Sequence, residues 1–147
     1  MDHIVTLDSR SNEIENLIRG TKSMIIHGAD VKCIPYGLVA GDDVLYFVAD
    51  DGSGEVKAKG IVSSVYNSYR LSAAESFEMI IRNQDKLTLP DDLFYKWAGK
   101  KYLVLIGIRN VEAVQPFSID RGVLSIADGW SLVRNIEDFI SRDCKTA

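Results

Sequence analysis

The side chains with the chemistry to hold a ligand are basic and aromatic, and they fall in four groups along the sequence. Single-stranded nucleic acids and flipped bases are held by aromatic stacking together with cationic contacts to phosphate. Side chains of these two kinds could therefore hold RNA or a nucleotide. The groups are Lys22, His27, Lys32 and Tyr36; Lys57 and Lys59; Tyr66, Tyr69 and Arg70; and Trp97, Lys100 and Lys101.

Several of these residues also fit ordinary structural roles. Lys100 and Lys101 follow a predicted helix, where cations complement the helix dipole. Lys57 and Lys59 alternate with apolar residues, as on the solvent face of an edge strand. Trp97 shares a helix face with Phe94 and is expected in the core.

Motifs for catalysis, metal binding and cofactor binding are missing from the sequence. Its histidines are His3 and His27, and its cysteines are Cys33 and Cys144, none of them at a metal-ligand spacing. No Walker loop, Gly-x-Gly-x-x-Gly loop or Gly-x-Ser-x-Gly elbow occurs. We therefore predict no metal site and no cofactor. In an enzyme acting on a nucleotide or a small amide, His27 would be the general base and Lys22 would stabilise charge.

The elements that must position these residues belong to a single α+β domain over residues 1–147. Short turns between the strands predict antiparallel pairing, in a small β-barrel of about five strands flanked by helices. Its inward residues are predicted to be Val44, Tyr46, Val62, Val104 and Ile106. The predicted order is a helix ending at Gly20, a strand at 24–26, a loop at 29–40, strands at 44–48 and 55–62, helices starting at Ser72 and Pro90, strands at 102–108 and 111–119, and a helix at about 135–143 that Asn135 caps.

Charge and composition narrow the partners. Lys and Arg total 17 against 21 Asp and Glu, a net charge of −4, which argues against non-specific binding to long nucleic acid but leaves room for local contacts. The sequence shows no secretory signal and no apolar run near the ~20 residues of a membrane span. Two isolated cysteines fit a reducing compartment. We predict a cytoplasmic protein with no membrane segment and leave its oligomeric state open.

Three stretches of the sequence resemble PUA-like barrels, the superfamily that includes the ASCH and EVE domains. In such domains a Gly-Asp turn, here Gly41-Asp42, starts a barrel strand. The resemblance covers roughly residues 20–120 and implies the barrel fold. Its stretches are Gly20–Lys22 leading into Met24–Ile26, Val39–Phe47 followed by Lys59–Val65, and Tyr102–Ile108 with Val111.

The ASCH pattern Gly-x-Lys-x-x-x-x-Arg is matched only in part. Gly20 and Lys22 agree, but His27 stands at the arginine position and Ile25 at the glutamate position. The ASCH ligand is therefore not carried over. A closer resemblance is to the uncharacterised, mainly archaeal PUA-like families.

The resemblance places Lys22 and His27 on the ligand-facing strand of related barrels. We therefore expect a module that binds RNA, or a nucleotide or modified base, in a cleft beside the barrel. Lys22 and Arg70 would contact phosphate, His27 would hydrogen-bond a base or phosphate, and Tyr36 or Tyr69 would stack. Besides the enzyme with His27 as base, a third hypothesis is a protein-interaction module that uses apolar residues at 127–130.

Overall fold

Six β-strands and four short helices make up the described part of the chain, residues 1–119, 129–133 and 136 of the computed structural model. The predicted helix at about 135–143 lies outside the described residues, apart from Ile136. Within the described part, no helix is long and apolar enough to cross a membrane. The elements are β1 Asp2–Leu7, α1 Glu13–Arg19, β2 Met24–Ala29, β3 Val44–Ala49, β4 Glu55–Asn67, α2 Ala73–Arg82, α3 Gln84–Leu87, α4 Asp91–Trp97, β5 Tyr102–Ser118 and β6 Trp130–Val133.

The strands form one curled sheet in the order β2-β5-β4-β3-β1-β6. Neighbouring strands run antiparallel except β1 and β3, which are parallel, so the sheet is mixed. The long strands β4 and β5 shift register three times against each other. Such irregularities bend and twist a sheet, and this one curls into a half-barrel. The predicted α+β class is confirmed, with three differences. β1 and β6 join the sheet, and the strands predicted at 102–108 and 111–119 are one strand, β5. The predicted antiparallel pairing is wrong for β1 and β3, because α1 and β2 separate them along the chain and allow a parallel crossover.

The main core fills the inside of the curl. Val62, Val104 and Ile106 are buried there, as predicted. The prediction for β3 has the wrong parity, because Leu45 and Phe47 occupy the core while Val44 and Tyr46 are half-buried on the other face. All five residues of this run are apolar, so the sequence has no alternation that tells one face from the other.

The outer face of β2 and of the first half of β5 carries the helices. Ile26, Leu103 and Leu105 pack there against α2, α3 and α4. The predicted capping box of α2 is confirmed: Ser72 Oγ accepts from the Glu75 amide at 3.1 Å, and Glu75 accepts from the Ser72 amide at 2.8 Å. The box fixes where α2 begins, and thereby how α2–α4 return to the sheet.

The N-terminal segment is a strand and not a flexible end. His3 in β1 is fully buried, and its Nδ1 accepts a hydrogen bond from Trp130 Nε1 at 3.1 Å. Since Nδ1 accepts, the ring proton lies on Nε2, which donates to Asp43 at 2.8 Å. Burial raises the pKa of Asp43, but this hydrogen bond and that from the Ala40 amide hold it below its usual value. Trp130 is only 3% exposed, so it does not present the apolar contact surface predicted for it, while 127 and 128 lie outside the described residues.

Candidate functional site

A cleft opens where the curled sheet fails to close, between β2 and the end of β1 that extends beyond its pairing with β6, with α4 above it. Its narrow inner part measures about 80 Å³ and its wide outer part about 620 Å³. The outer volume lies in the range of small-molecule sites. Both parts are lined by Thr6, Leu7, Asp8, Leu93, Lys96, Trp97 and Gly129.

His27 lines the inner end of this cleft. It pairs with Val104 across the sheet, so its side chain points into the curl, on the same face as Ile25. The imidazole is 5% exposed and lies 5.3 Å from the Trp97 ring, tilted by 45°. His27 thus lies at a cleft, but its ring is buried against α4 and is not on an open surface.

Lys22 does not line the cleft, and the prediction that it is exposed is wrong. Only 2% of the residue is accessible, its Nζ lies 3.3 Å from Glu13 Oε1, and it donates to the Leu87 carbonyl. Burial lowers the pKa of Lys22, and the Glu13 carboxylate offsets this in part. Its ammonium group thus neutralises the buried Glu13 carboxylate. The residues that surround Lys22 in the sequence do not indicate this ion pair.

Glu13 connects this buried pair to the cleft. It lines the inner part, and its Oε2 accepts from the Asp8 amide at 2.9 Å. The Asp8 carboxylate in turn accepts from the Ser11 amide at 3.1 Å and hydroxyl at 2.7 Å. The turn that carries Arg10 is therefore tied to α1, and Arg10 reaches into solvent with 88% of its side chain exposed.

Cations and acids both line the cleft. Arg10, Lys96 and Lys100 supply positive charge, and Lys96 Nζ lies 4.6 Å from the centre of the Trp97 ring. The acids are Asp8, Glu13, Asp50 and Asp92. With near-balanced charge, the cleft suits an uncharged ring inside and an anionic group close to the cations at its mouth better than it suits a polyanion along its length.

Gly28 brings Lys100 to the mouth of the cleft. A Cβ at this position would lie 2.9 Å from Leu103 Cδ2 and 3.2 Å from Lys100 Cβ. Only glycine lets the segment after α4 pass this close to β2.

The other three predicted residues lie together but outside the cleft. The Tyr36 ring meets Tyr102 edge to face at 5.7 Å, and its hydroxyl donates to the Ser68 carbonyl. Tyr69 and Arg70 follow directly and are exposed, Tyr69 by 65%. The structure thus separates the five predicted residues. Lys22 is in a buried ion pair and His27 lines the cleft. Tyr36, Tyr69 and Arg70 lie together elsewhere.

Sequence reasoning missed Asp8, Arg10 and Glu13, because β1 went unrecognised and nothing indicated that its end faces β2. Lys96 and Trp97 carried one usable signal, a cation directly beside an aromatic ring at a helix end. Among the described residues, no group of three or more His, Cys, Asp or Glu side chains is arranged to hold a metal ion.

Comparison with solved structures shows the fold. The crystal structure of ASCH from Zymomonas mobilis superposes with a TM-score of 0.67 at 10% identity, covering 95% of this chain and 96% of that one. Two point variants of the same protein give TM-scores of 0.68 at 10% and 11% identity, each covering 93% of this chain, and 91% and 93% of theirs. No protein-family model and no curated protein matches the sequence. The resemblance that the sequence shows to PUA-like and ASCH domains is thereby confirmed for the fold.

Proposed function

Starting from an ASCH-like fold, we propose that the protein binds RNA by holding one base, or the matching nucleotide, in the cleft between β1, β2 and α4. The observation that carries this proposal is the cleft itself. It joins a buried histidine at its inner end, and a tryptophan ring and Lys96 that line both parts, to two cations at its mouth, Arg10 and Lys100. RNA-binding sites commonly combine these parts, an aromatic surface for a base and cations for phosphate.

Each part of the cleft has its role in this proposal. The base enters the outer part and stacks on the Trp97 ring, which lines both parts of the cleft. His27 and the acids Asp8 and Glu13 offer hydrogen bonds to its polar edge. Each carboxylate oxygen has two lone pairs, so those already bonded within the protein can still accept from an amino group of a base. Phosphate lies at the mouth, within reach of Arg10 and Lys100.

A second candidate function is hydrolysis or another conversion of the bound nucleotide. It is favoured by one observation, that His27 and Glu13 line the same narrow inner pocket. There His27 would be the general base, and the inner pocket has room for water.

Binding is tested by titrating the protein into a fluorescein-labelled, random-sequence RNA of eight nucleotides and following anisotropy at several salt concentrations. Unlabelled mononucleotides compete in a second series. Arg10→Ala should weaken binding and flatten the slope of log affinity against log salt by about 0.7, the contribution of one phosphate contact to a single strand. Arg19→Ala is the matched control, because Arg19 is exposed at the end of α1 and does not line the cleft.

Wild-type protein that binds neither the RNA nor any mononucleotide at low salt overturns the proposal. Competition by a mononucleotide as strong as that by RNA identifies the nucleotide as the ligand. Chromatography of each mixture after incubation tests the second candidate, which falls if the nucleotides are recovered unchanged.

A further inference from the structure

A second group of basic and aromatic side chains lies at the end of the sheet where β2 and β4 finish and β5 begins. We call it the tyrosine patch, and it consists of Lys32, Tyr36, Tyr69, Arg70, Lys101 and Tyr102. Lys32 Nζ lies 5.4 Å from the Tyr36 ring centre and 5.7 Å from that of Tyr102. The two rings meet at 81°. The cleft contains none of these residues.

Backbone hydrogen bonds hold the patch together. The Ser68 amide donates to the Leu103 carbonyl at 2.9 Å, and the Leu71 amide donates to the Lys101 carbonyl at 2.8 Å. Tyr69 and Arg70 lie between these two bonds, so their backbone is fixed beside the start of β5. Their side chains stay exposed, and within the described part of the chain Arg70 makes no ion pair.

The charge of the patch opposes that of the whole protein. The chain carries a net charge of −4, yet three cations stand here beside one acid, Asp30, whose carboxylate accepts from the Lys101 amide at 3.3 Å. An exposed tyrosine ring in a patch with such cations offers a base a stacking surface and its phosphates a counter-charge.

The chain itself joins the patch to the cleft. Lys100 lines the outer part of the cleft and Lys101 is the next residue, so cations continue from the cleft mouth to the patch. We propose that the tyrosine patch binds the nucleotides of a single-stranded RNA that flank the base held in the cleft, with Tyr69 stacking on a base and Arg70 contacting a phosphate. This inference rests on the proposed function and extends the footprint from one nucleotide to several.

The test compares labelled RNAs of two and eight nucleotides, since only the longer one spans both sites. The longer RNA should bind more tightly, and Tyr69→Ala should weaken its binding roughly five- to hundredfold while leaving the dinucleotide nearly unaffected. Tyr69→Phe, which keeps the ring, should bind as the wild type does. Arg70→Ala should flatten the salt slope of the longer RNA by about 0.7, and the control Arg19→Ala should leave it unchanged.

The outcomes separate this inference from the proposed function. Equal affinity for both RNAs, or an eight-nucleotide RNA indifferent to Tyr69→Ala and Arg70→Ala, overturns the patch and leaves the cleft proposal standing. Equal losses on both RNAs also overturn the division between cleft and patch. If neither RNA binds, the proposed function fails and the inference falls with it. Since both side chains are exposed, unchanged melting midpoints check that the variants are folded.

Discussion

Replacing Lys22 with methionine should lower the free energy of unfolding by about 3 kcal/mol. Methionine keeps the unbranched stem but removes the ammonium group, which leaves the Glu13 carboxylate buried without its partner. Breaking a buried ion pair in this way costs about 3–5 kcal/mol. We expect the lower end, because the Glu13 side chain is 11% exposed and keeps the hydrogen bond from the Asp8 amide at 2.9 Å. In a domain of this size the loss corresponds to a fall of about 6–12 °C in the melting midpoint.

Urea denaturation of four variants tests this prediction: Lys22→Met, Glu13→Gln, the double variant and Lys57→Met. The double variant Lys22→Met with Glu13→Gln removes both charges and should recover more than half of the loss, since the penalty of the single change is an uncompensated charge. The control is Lys57→Met. Its ion pair with Asp51 is shorter, 3.0 Å against 3.3 Å, but the Lys57 and Asp51 side chains are 38% and 33% exposed. It should give no measurable change, because solvent screens such a pair.

A Lys22→Met variant as stable as Lys57→Met refutes this prediction, because burial would then not govern the strength of the ion pair. The prediction is also refuted if the losses of the two single changes simply add in the double variant. A strictly additive result would mean that Lys22 and Glu13 stabilise the fold independently.

Two further predictions concern the sheet. Gly60→Ala would place a Cβ 2.7 Å from Ile108 Cγ2 and should lower the free energy of unfolding, measured by chemical denaturation, by about 1–3 kcal/mol. The control Gly41→Ala, whose Cβ would have nothing within 4 Å, should change it little. Equal effects of the two substitutions would contradict tight packing at Gly60. Although burial raises the pKa of Asp43, its hydrogen bonds, above all that from His3, hold it below the usual value. The charged form therefore stabilises the fold above the unfolded-state pKa of about 3.9, and this contribution disappears as pH falls through the native pKa. The stability difference between wild type and Asp43→Asn, measured by urea denaturation, should shrink from pH 5 towards pH 2, and a constant difference contradicts it.

Local signals predicted the elements that local chemistry determines. Ser72 and Glu75 lie three residues apart, so one turn of chain contains the whole capping box. Gly20 adopts a positive φ of 81° at the end of α1, which glycine tolerates best. Pro90 directly precedes α4. In each case the sequence window that carries the signal also contains the contacts that stabilise the structure.

The site depended on contacts between distant segments, and there the sequence was insufficient. Lysine is ordinarily exposed, and the acid that makes burial of Lys22 tolerable lies on another element. The segment 2–7 can form a buried strand only if the His3 ring finds hydrogen-bond partners inside the protein. Those partners are Trp130 and Asp43, which lie far away in the sequence. The fold could be predicted because its pattern of glycines and strands is local in the sequence. The cleft could not, because it is formed by elements that meet only after the sheet curls.

The place of β1 in the sheet determines when folding can finish. β1 lies between β3 and β6, and its pairing with β6 joins Asp2 to Val133 across nearly the whole described chain. Closing so large a loop is entropically unfavourable, and such non-local pairing slows folding. As the chain is synthesised, β1 and β3 can pair early, but the outer edge of β1 waits for β6, the last strand in the described part of the chain. Until β6 docks, His3 lacks the indole donor that completes its hydrogen bonds, so the docking of β6 both covers a strand edge and satisfies a buried histidine.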